Sequence, residues 1–319
     1  MDSDLRPFSL GDLLDAAFEL YKRGFALIAS TATLVHVPAF VAFYTFGESL
    51  GLEDLGTGSK ESQVATPEEL AAVGLFFLGV LGYSAVFGIQ HGAVSLAASD
   101  LLLGRATSLG SVYRRLTPAV PRLLCTLAIG GLATLVALIL AAFVLGMGLA
   151  ALEMVLAPRG LGQTASTVLA VFVGIVVAAV MVAGGLATAG VATQVVLLER
   201  AGAFRAVGRN ASLLQGRFLR TLAALALVLV LSQGFMLTLY TSLEWVLELS
   251  LFAVVPVPEL GRKVAEGVLG AVIGLVVYPY WSIFLTLVYY DLRVRREGLD
   301  LALLAQRVLK RRESAGSAV

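Results

Sequence analysis

The sequence predicts an all-α membrane protein with six transmembrane helices, in three parallel repeats of an amphipathic interfacial helix plus a transmembrane hairpin. Of the 319 residues, 58% are apolar and only 14% are charged, and the mean hydropathy is +0.90. Soluble domains are far more polar than this. The chain also lacks the alternation of apolar and polar residues that transmembrane strands need. The apolar segments are therefore predicted to be helices.

Each predicted span is long enough for an α-helix, because about 20 residues cross the ~30 Å of bilayer hydrocarbon. The six segments are 24–46, 71–99, 122–152, 166–198, 219–247 and 264–290. Lengths above the minimum imply tilted helices or helix ends that continue into the interface. No small-residue cleavage site follows the first span, so we expect it to remain in the mature protein. The single cysteine, Cys125, lies in the third span and has no disulfide partner within the chain.

Basic residues predict the orientation, because Lys and Arg beside transmembrane helices stay on the cytoplasmic side. All but four of the 23 Lys and Arg residues lie in the amino-terminal segment, the second-to-third connection, the fourth-to-fifth connection or the carboxyl-terminal tail. The four on the opposite side are Lys60, Arg159, Arg262 and Lys263. Both termini are therefore predicted to be cytoplasmic.

A short element occurs twice on this side, as SLGDLLDA at 9–16 and SLGSVYRR at 108–115, each before an outward-going span. Ser9 is placed to cap a helix, and the apolar residues of both copies have helical spacing. They are Leu10, Leu13, Leu14, Ala17, Phe18 and Tyr21 in the first copy, and Leu109, Val112, Tyr113, Leu116 and Val120 in the second. Pro118 and Pro121 are expected to shorten or kink the second helix.

A weaker third copy has an apolar stripe of Phe204, Val207, Ala211 and Leu214. The chain is thus predicted to be a single integral-membrane domain, 1–319, with a cytoplasmic amphipathic tail. The repeat units are approximately 8–103, 104–198 and 199–290, and the tail is 291–319. Because every unit holds two spans, all units start on the same side and are parallel.

Arginines on these interfacial helices are candidates for binding anionic phospholipids or another membrane or cytoplasmic protein, at about 1 kcal/mol each near an anionic surface. The candidates are Arg114, Arg115, Arg122, Arg205, Arg209 and Arg217. In the structural alternative, the helices only anchor the span ends and cover the cytoplasmic rim. The sequence leaves both interpretations open.

Polar residues inside the spans are the second group of candidates, because each is costly in lipid without a partner or water. They are His36, Gln90, His91, Gln194 and Gln233. Helix-to-helix hydrogen bonds and a transport or proton path both explain them. His36 and His91 would lie at different depths in regular helices, whereas Asp100 lies near a span end, where we expect it to reach water. Small residues in AGGLATAG, 183–190, indicate close helix packing.

Nothing in the sequence matches a catalytic, phosphate-binding or metal-binding motif. We therefore expect no enzyme activity, with an intramembrane enzyme as the alternative, and no cofactor, no metal and no nucleic-acid partner. The acidic segment 47–70 is typical of a solvated loop, and cation binding there is the alternative.

Three stretches resemble a family of bacterial integral-membrane proteins similar to the membrane domain of glycerophosphoryl diester phosphodiesterase. They are LRPFSLGDLLDAAFELYKRGF, LLERAGAFRAVGRNASLLQGRFLR and YYDLRVRREGLDLALLA. The resemblance covers nearly the whole chain and implies a six-span protein of the bacterial plasma membrane. We expect no soluble catalytic barrel, because no segment is left to form one, so the resemblance transfers no metal-binding or acid-base residue.

These observations favour a non-catalytic membrane component, either an accessory subunit or a lipid-interacting scaffold. A transporter or channel component for a small solute or lipid is the alternative. A requirement for intramembrane Gln90, His91 or Gln194 would favour transport, whereas sensitivity confined to the arginine clusters would favour the scaffold.

Overall fold

The computed structural model describes residues 6–49, 67–156, 173–174, 177, 184–185, 189–252, 257–302 and 304–305. Throughout these ranges the regular structure is helical and no strand occurs. The all-helical prediction is therefore confirmed. Residues 50–66 of the acidic segment and most of the tail after residue 302 lie outside the described residues, and so do the predictions made for them.

The helices are α1 (Leu10–Arg23), α2 (Phe25–Ser49), α3 (Pro67–Leu102), α4 (Leu109–Leu116), α5 (Val120–Leu156), α6 (Val191–Leu198), α7 (Ala203–Leu214), α8 (Phe218–Leu247) and α9 (Glu259–Glu297). A 3₁₀ turn, Thr117–Ala119, joins α4 to α5, and a π-helical turn, Glu248–Phe252, follows α8. The predicted shortening of the second interfacial helix is confirmed, because Pro118 lies in this 3₁₀ turn and α4 has only eight residues.

Among the described residues, five helical segments are long and apolar enough to cross a membrane. They are Phe25–Ala42, Leu81–Leu102, Leu109–Gly148, Phe218–Ser250 and Val264–Glu297. These segments overlap five of the six predicted spans. The other predicted span, 166–198, falls mostly on residues that are not described, and only its last part is seen as α6. The count of six therefore stays a prediction.

Both copies of the repeated element begin a helix with reciprocal side-chain caps. The Ser9 N–H donates to Asp12 Oδ2 at 2.9 Å, and the Asp12 N–H donates to Ser9 Oγ at 3.1 Å. Ser108 and Ser111 exchange the same two bonds at 3.0 and 3.4 Å. Each pair satisfies amide groups that a helix start leaves without intrahelical acceptors. The predicted cap at Ser9 is confirmed, and its equivalent at Ser108 has the same geometry.

Of the fifteen residues in the predicted apolar stripes, six are buried and six are half-buried. The buried members are Leu13, Ala17 and Tyr21 of α1, Val112 and Leu116 of α4, and Leu214 of α7. Two aromatic members of the stripes are exposed instead, Phe18 by 56% and Phe204 by 81%. A helix stripe wider than its packing partner leaves its outer residues uncovered, and these two rings occupy that outer position.

The chain divides into two compact units, one of residues 1–16, 121–233 and 284–319, the other of 17–120 and 234–283. In the first unit α6 packs against α7, and a Cβ on Gly185 would overlap Thr134 of α5. That contact confirms close packing at Gly185, whereas residues 183 and 186–188 of AGGLATAG lie outside the described residues. In the second unit α2 packs along α3, and a Cβ on Gly24 would overlap the Leu101 side chain. The predicted repeat boundaries differ from this division and stay predictions.

The two reciprocal caps predict a measurable contribution to stability. Replacing Ser108 by Ala removes one acceptor and should lower the free energy of unfolding by about 1 kcal/mol. Thermal unfolding in detergent, followed by tryptophan fluorescence, measures this change.

Ser108→Asp is the matched control, because an aspartate at this position restores the acceptor and should restore the midpoint. Equal midpoints for Ser108→Ala and the unmodified protein would show that the cap at the start of α4 does not contribute to stability.

Candidate functional site

Asp100, near the end of α3, belongs to the first of three buried or half-buried clusters of carboxylates and arginines in the described part of the chain. Its side chain is 4% exposed, and Arg115 of α4 binds it with both terminal nitrogens, one of them 3.2 Å from Asp100 Oδ1. Arg115 also donates from Nε to the Ser111 carbonyl at 3.3 Å. The prediction that Asp100 reaches water is wrong, because the bidentate guanidinium replaces water at the carboxylate. Arg115 is therefore committed to the packing of α4 on α3.

Glu199, just after α6, belongs to the second cluster. Arg209 Nε donates to Glu199 at 3.1 Å, and the same guanidinium pairs with Glu297. Arg293 Nε bonds Glu297 at 3.0 Å, and the Tyr289 hydroxyl donates to Glu199 at 2.9 Å. Two guanidinium groups thus neutralise two carboxylates. Burial lowers the pKa of Arg209, but its hydrogen bonds to Glu199 and Glu297 and their charges outweigh burial, so the net pKa is raised.

Asp291 of α9 belongs to the third cluster, and its side chain is 5% exposed. Arg220 donates to it at 3.1 Å, Arg295 at 2.9 Å and the Phe8 N–H at 2.8 Å. Both arginines also donate to the Phe8 carbonyl oxygen. This cluster fixes the amino-terminal segment to α8 and α9, and it contains one more positive than negative charge.

Arg122 and Arg23 form two equivalent bonds to backbone carbonyls at or just beyond the ends of helices. Arg23 donates to the Leu101 carbonyl at 3.0 Å, and Arg122 donates to the Arg200 carbonyl at 2.9 Å. Each bond joins residues 78 positions apart. Carbonyls at the end of a helix have no intrahelical donor and carry partial negative charge, so a guanidinium is a favourable partner. Leu101 has such a carbonyl, in the last turn of α3, whereas Arg200 lies two residues past the end of α6, so Arg122 binds the connection that follows that helix.

The other three candidate arginines are Arg114, Arg205 and Arg217. In the described part of the chain, none of their guanidinium groups forms an ion pair or a hydrogen bond. Arg114 and Arg205 are exposed, and Arg217 is half-buried. The six candidates thus separate into three that hold the fold, Arg115, Arg122 and Arg209, and three with guanidinium groups available to a ligand.

Four of the five intramembrane candidates are buried. His36 Nδ1 lies 3.1 Å from Gln90 Oε1, and His91 Nδ1 lies 2.9 Å from Ser282 Oγ. The prediction that the two histidines lie at different depths is wrong, because His36 pairs with the residue directly before His91. Gln194, which is fully buried, accepts a bond from Thr286 Oγ1 at 3.5 Å. The structure therefore joins these groups to polar partners on other helices.

Gln233 of α8 departs from this pattern because its side chain is exposed. Its neighbour Ser232 occupies the buried position and donates to the Leu229 carbonyl at 3.1 Å. The sequence could not indicate which face of α8 packs inward, because every face of this helix is rich in apolar residues. Gln233 is therefore not placed in an interhelical site.

His91 and Ser282 have the separation of a general base and a nucleophile. Their side chains are buried, with His91 7% and Ser282 3% exposed, so a substrate would have to separate the helices to reach the pair. His36 likewise contacts the rings of Phe40 and Tyr278, with centroids 6.2 and 5.8 Å away. The arrangement is that of a packed helix contact with internal hydrogen bonds.

Sequence reasoning missed Glu199 and Asp291, together with the polar partners Ser282, Thr286 and Tyr289. A signal for the carboxylates was present as a polar residue five positions before each acid. The three pairs are Ser95 and Asp100, Gln194 and Glu199, and Thr286 and Asp291. All of these residues except Glu199 are buried.

Comparison with known proteins identifies no relative of this chain. No protein-family model matches the chain, and no curated protein or solved structure is significantly similar to it. The site therefore has to be interpreted from its own geometry.

The neighbouring residues Arg114 and Arg115 provide a direct test of the ion-pair assignment. Arg115→Ala leaves the buried Asp100 carboxylate without its cation and should lower the free energy of unfolding by at least about 2 kcal/mol. Arg114→Ala removes the same charge from the same helix, and we expect a change within about 0.5 kcal/mol. Thermal unfolding of both variants in the same detergent measures the difference.

Adding Asp100→Asn to Arg115→Ala should recover much of the loss, because the buried charge is then gone. A similar unfolding midpoint for Arg114→Ala and Arg115→Ala would contradict the assignment.

Proposed function

We propose that this chain is a non-catalytic component of a bacterial plasma membrane, with both termini in the cytoplasm, that binds anionic phospholipid at its cytoplasmic face as an accessory subunit or scaffold. The observation that carries the proposal is the division among the candidate arginines. Arg114, Arg205 and Arg217 make no internal ion pair in the described part of the chain. Guanidinium groups without an internal partner suit phosphate oxygens, which they bind in bidentate fashion.

Apolar side chains beside two of these arginines support an interfacial position. Phe204 precedes Arg205, and Phe218 and Leu219 follow Arg217, with Leu219 exposed by 76%. An apolar side chain next to a cation suits the boundary between lipid head groups and acyl chains. The half-exposed Phe18 of α1, with the Lys22 ammonium 5.1 Å from its ring, has the same character.

Several observations support the parallel repeat arrangement on which this orientation depends. The reciprocal caps at Ser9 and Ser108, and the two bonds that join Arg23 and Arg122 to carbonyls 78 residues later, occupy equivalent places in the first two predicted units. A carboxylate paired with arginine then occurs near the end of each predicted inward-going helix. Equivalent contacts at equivalent positions are expected of internal repeats.

The proposal predicts selective retention of anionic lipid. After release from bilayers with equal phosphatidylglycerol and phosphatidylcholine, native mass spectrometry should find phosphatidylglycerol enriched on the full chain. The triple variant Arg114→Gln, Arg205→Gln, Arg217→Gln should reduce that enrichment at least about tenfold, because each cation contributes about 1 kcal/mol.

The triple Arg→Lys variant is the matched control, since it keeps the three charges, and it should retain most of the enrichment. Unchanged enrichment in the Gln variant, with an unchanged unfolding midpoint, would rule out these arginines as the lipid contacts.

The second candidate function is transport of a proton or small solute, and the buried histidines favour it. His36 and His91 are both less than 10% exposed, and the Ser282 hydroxyl beside His91 can either donate or accept, whereas the Gln90 oxygen beside His36 only accepts. Buried ionisable groups inside candidate spans often mark ion or proton paths. Against it, each histidine already has a polar partner on another helix.

A flux measurement separates the two functions. Vesicles containing the protein and a pH-sensitive dye should acidify at the rate of protein-free vesicles when a proton gradient is applied, because the polar groups are already paired. Proton flux above that background, abolished by His36→Gln or His91→Gln in protein that still folds, would favour transport over the scaffold.

A further inference from the structure

A cavity of about 130 Å³ lies between the first half of α1, the first turns of α8 and the last part of α9. Apolar side chains form most of its wall, and the polar lining residues are Arg220, Thr221 and Asp291. The apolar ones are Leu10, Leu13, Ala223, Ala224 and Val288. At about 30 Å³ for a group of the size of water or methylene, the space holds roughly four such groups. Burying methylene groups there is favourable, because apolar surface leaves water.

The charge beside the cavity does not balance. Arg220 and Arg295 share the single carboxylate of Asp291, and among the described residues no second acid lines the cavity. The cluster therefore carries one excess positive charge. Each guanidinium has five N–H donors, and the bonds to Asp291 and Phe8 use only some of them. The Arg220 side chain is 40% exposed, so its remaining donors are within reach of a ligand.

The position of the cavity matches that of a lipid head group. Arg220 lies in the first turn of the candidate span Phe218–Ser250, and Asp291 lies near the end of the candidate span Val264–Glu297. Span ends lie where phosphate groups meet acyl chains. An inorganic anion would pair with the arginines but make no contact with the apolar wall. A neutral lipid would contact the wall but would not compensate the excess positive charge.

We propose that this cavity binds one anionic phospholipid, whose phosphate pairs with Arg220 and Arg295 while the first methylene groups of an acyl chain enter between α1, α8 and α9. The inference rests on the proposed function and gives it a second, separate binding site. At this site the bound lipid would contact the segment around Phe8, so lipid occupancy would stabilise the amino-terminal segment against α8 and α9.

Filling the cavity tests the proposal without altering its charges. Ala224 is buried in the wall, and Ala224→Leu should place three added carbon atoms in the space meant for the acyl chain. Native mass-spectrometric titration of the full chain with phosphatidylglycerol should then show the tightest lipid bound about tenfold more weakly, a difference of about 1.4 kcal/mol. Ala226→Leu, two residues along the same helix and outside the cavity wall, is the matched control and should bind as the unmodified protein does.

The second variant addresses the phosphate. Arg220→Gln keeps a polar side chain but removes one charge. We expect a similar loss of affinity for phosphatidylglycerol, with little change in affinity for phosphatidylcholine. Inorganic phosphate at millimolar concentration should not displace the lipid, because it cannot fill the apolar wall. Displacement by phosphate would identify a simple anion site and overturn the proposal.

The outcomes also separate this site from the surface arginines. Unchanged phosphatidylglycerol binding in Ala224→Leu, alongside a loss in the Arg114, Arg205 and Arg217 triple variant, would contradict lipid binding in the cavity and leave the proposed function in place. Loss of phosphatidylglycerol binding in Ala224→Leu with no loss in the triple variant would support lipid binding in the cavity and contradict lipid binding by the surface arginines. Loss in Ala226→Leu equal to that in Ala224→Leu would overturn the cavity assignment, because the effect would then not depend on the cavity wall.

Discussion

The negative charge of a carboxylate buried against apolar helices must be compensated by a nearby positive charge. This constraint organises the basic ends of the helices. Asp100 and Asp291 are almost fully buried, and Glu199 is mostly so. Removing an ion from water costs several kcal/mol, which only a close counter-ion and further hydrogen bonds offset. Each carboxylate therefore holds separate chain segments together: α3 with α4, α6 with α7 and α9, and the segment at Phe8 with α8 and α9. The ion pairs select which segments meet, while apolar packing supplies most of the stability.

The same principle applies deeper in the candidate spans, with neutral partners in place of ions. His36 with Gln90, His91 with Ser282, and Gln194 with Thr286 each join two helices through one hydrogen bond. In an apolar surrounding an unpaired group is costly and a paired one contributes only modestly, so such pairs define register and contact more than they add stability. Their internal pairing is the physical reason for preferring a structural component over a transporter.

The arginines show why the residue type alone does not define a role. Arg114 and Arg115 are adjacent, yet Arg115 closes on Asp100 while Arg114 faces outward. Arg205 and Arg209 lie one turn apart on α7, yet Arg209 binds Glu199 and Glu297 while Arg205 is exposed beside Phe204. A fixed internal partner makes a side chain part of the fold, and an unpartnered guanidinium at a membrane boundary is available to phosphate. The proposal for Arg114, Arg205 and Arg217 depends on this distinction, whereas the cavity proposal depends on the excess positive charge of Arg220 and Arg295 over Asp291.

The sequence by itself determined the helical class, five helices long and apolar enough to span a membrane, the cap at Ser9 and the shortening of α4 by Pro118, because these depend on composition and on contacts only a few residues apart. Only the tertiary structure decided which arginine meets which acid, that His36 lies beside Gln90, that Gln233 faces outward, and that Arg220, Asp291 and Leu13 line one cavity. Most of those features join residues on different helices, from 10 to more than 200 positions apart. In a chain this apolar, periodicity cannot show which face of a helix packs inward, so long-range pairing carries the information that the sequence pattern lacks.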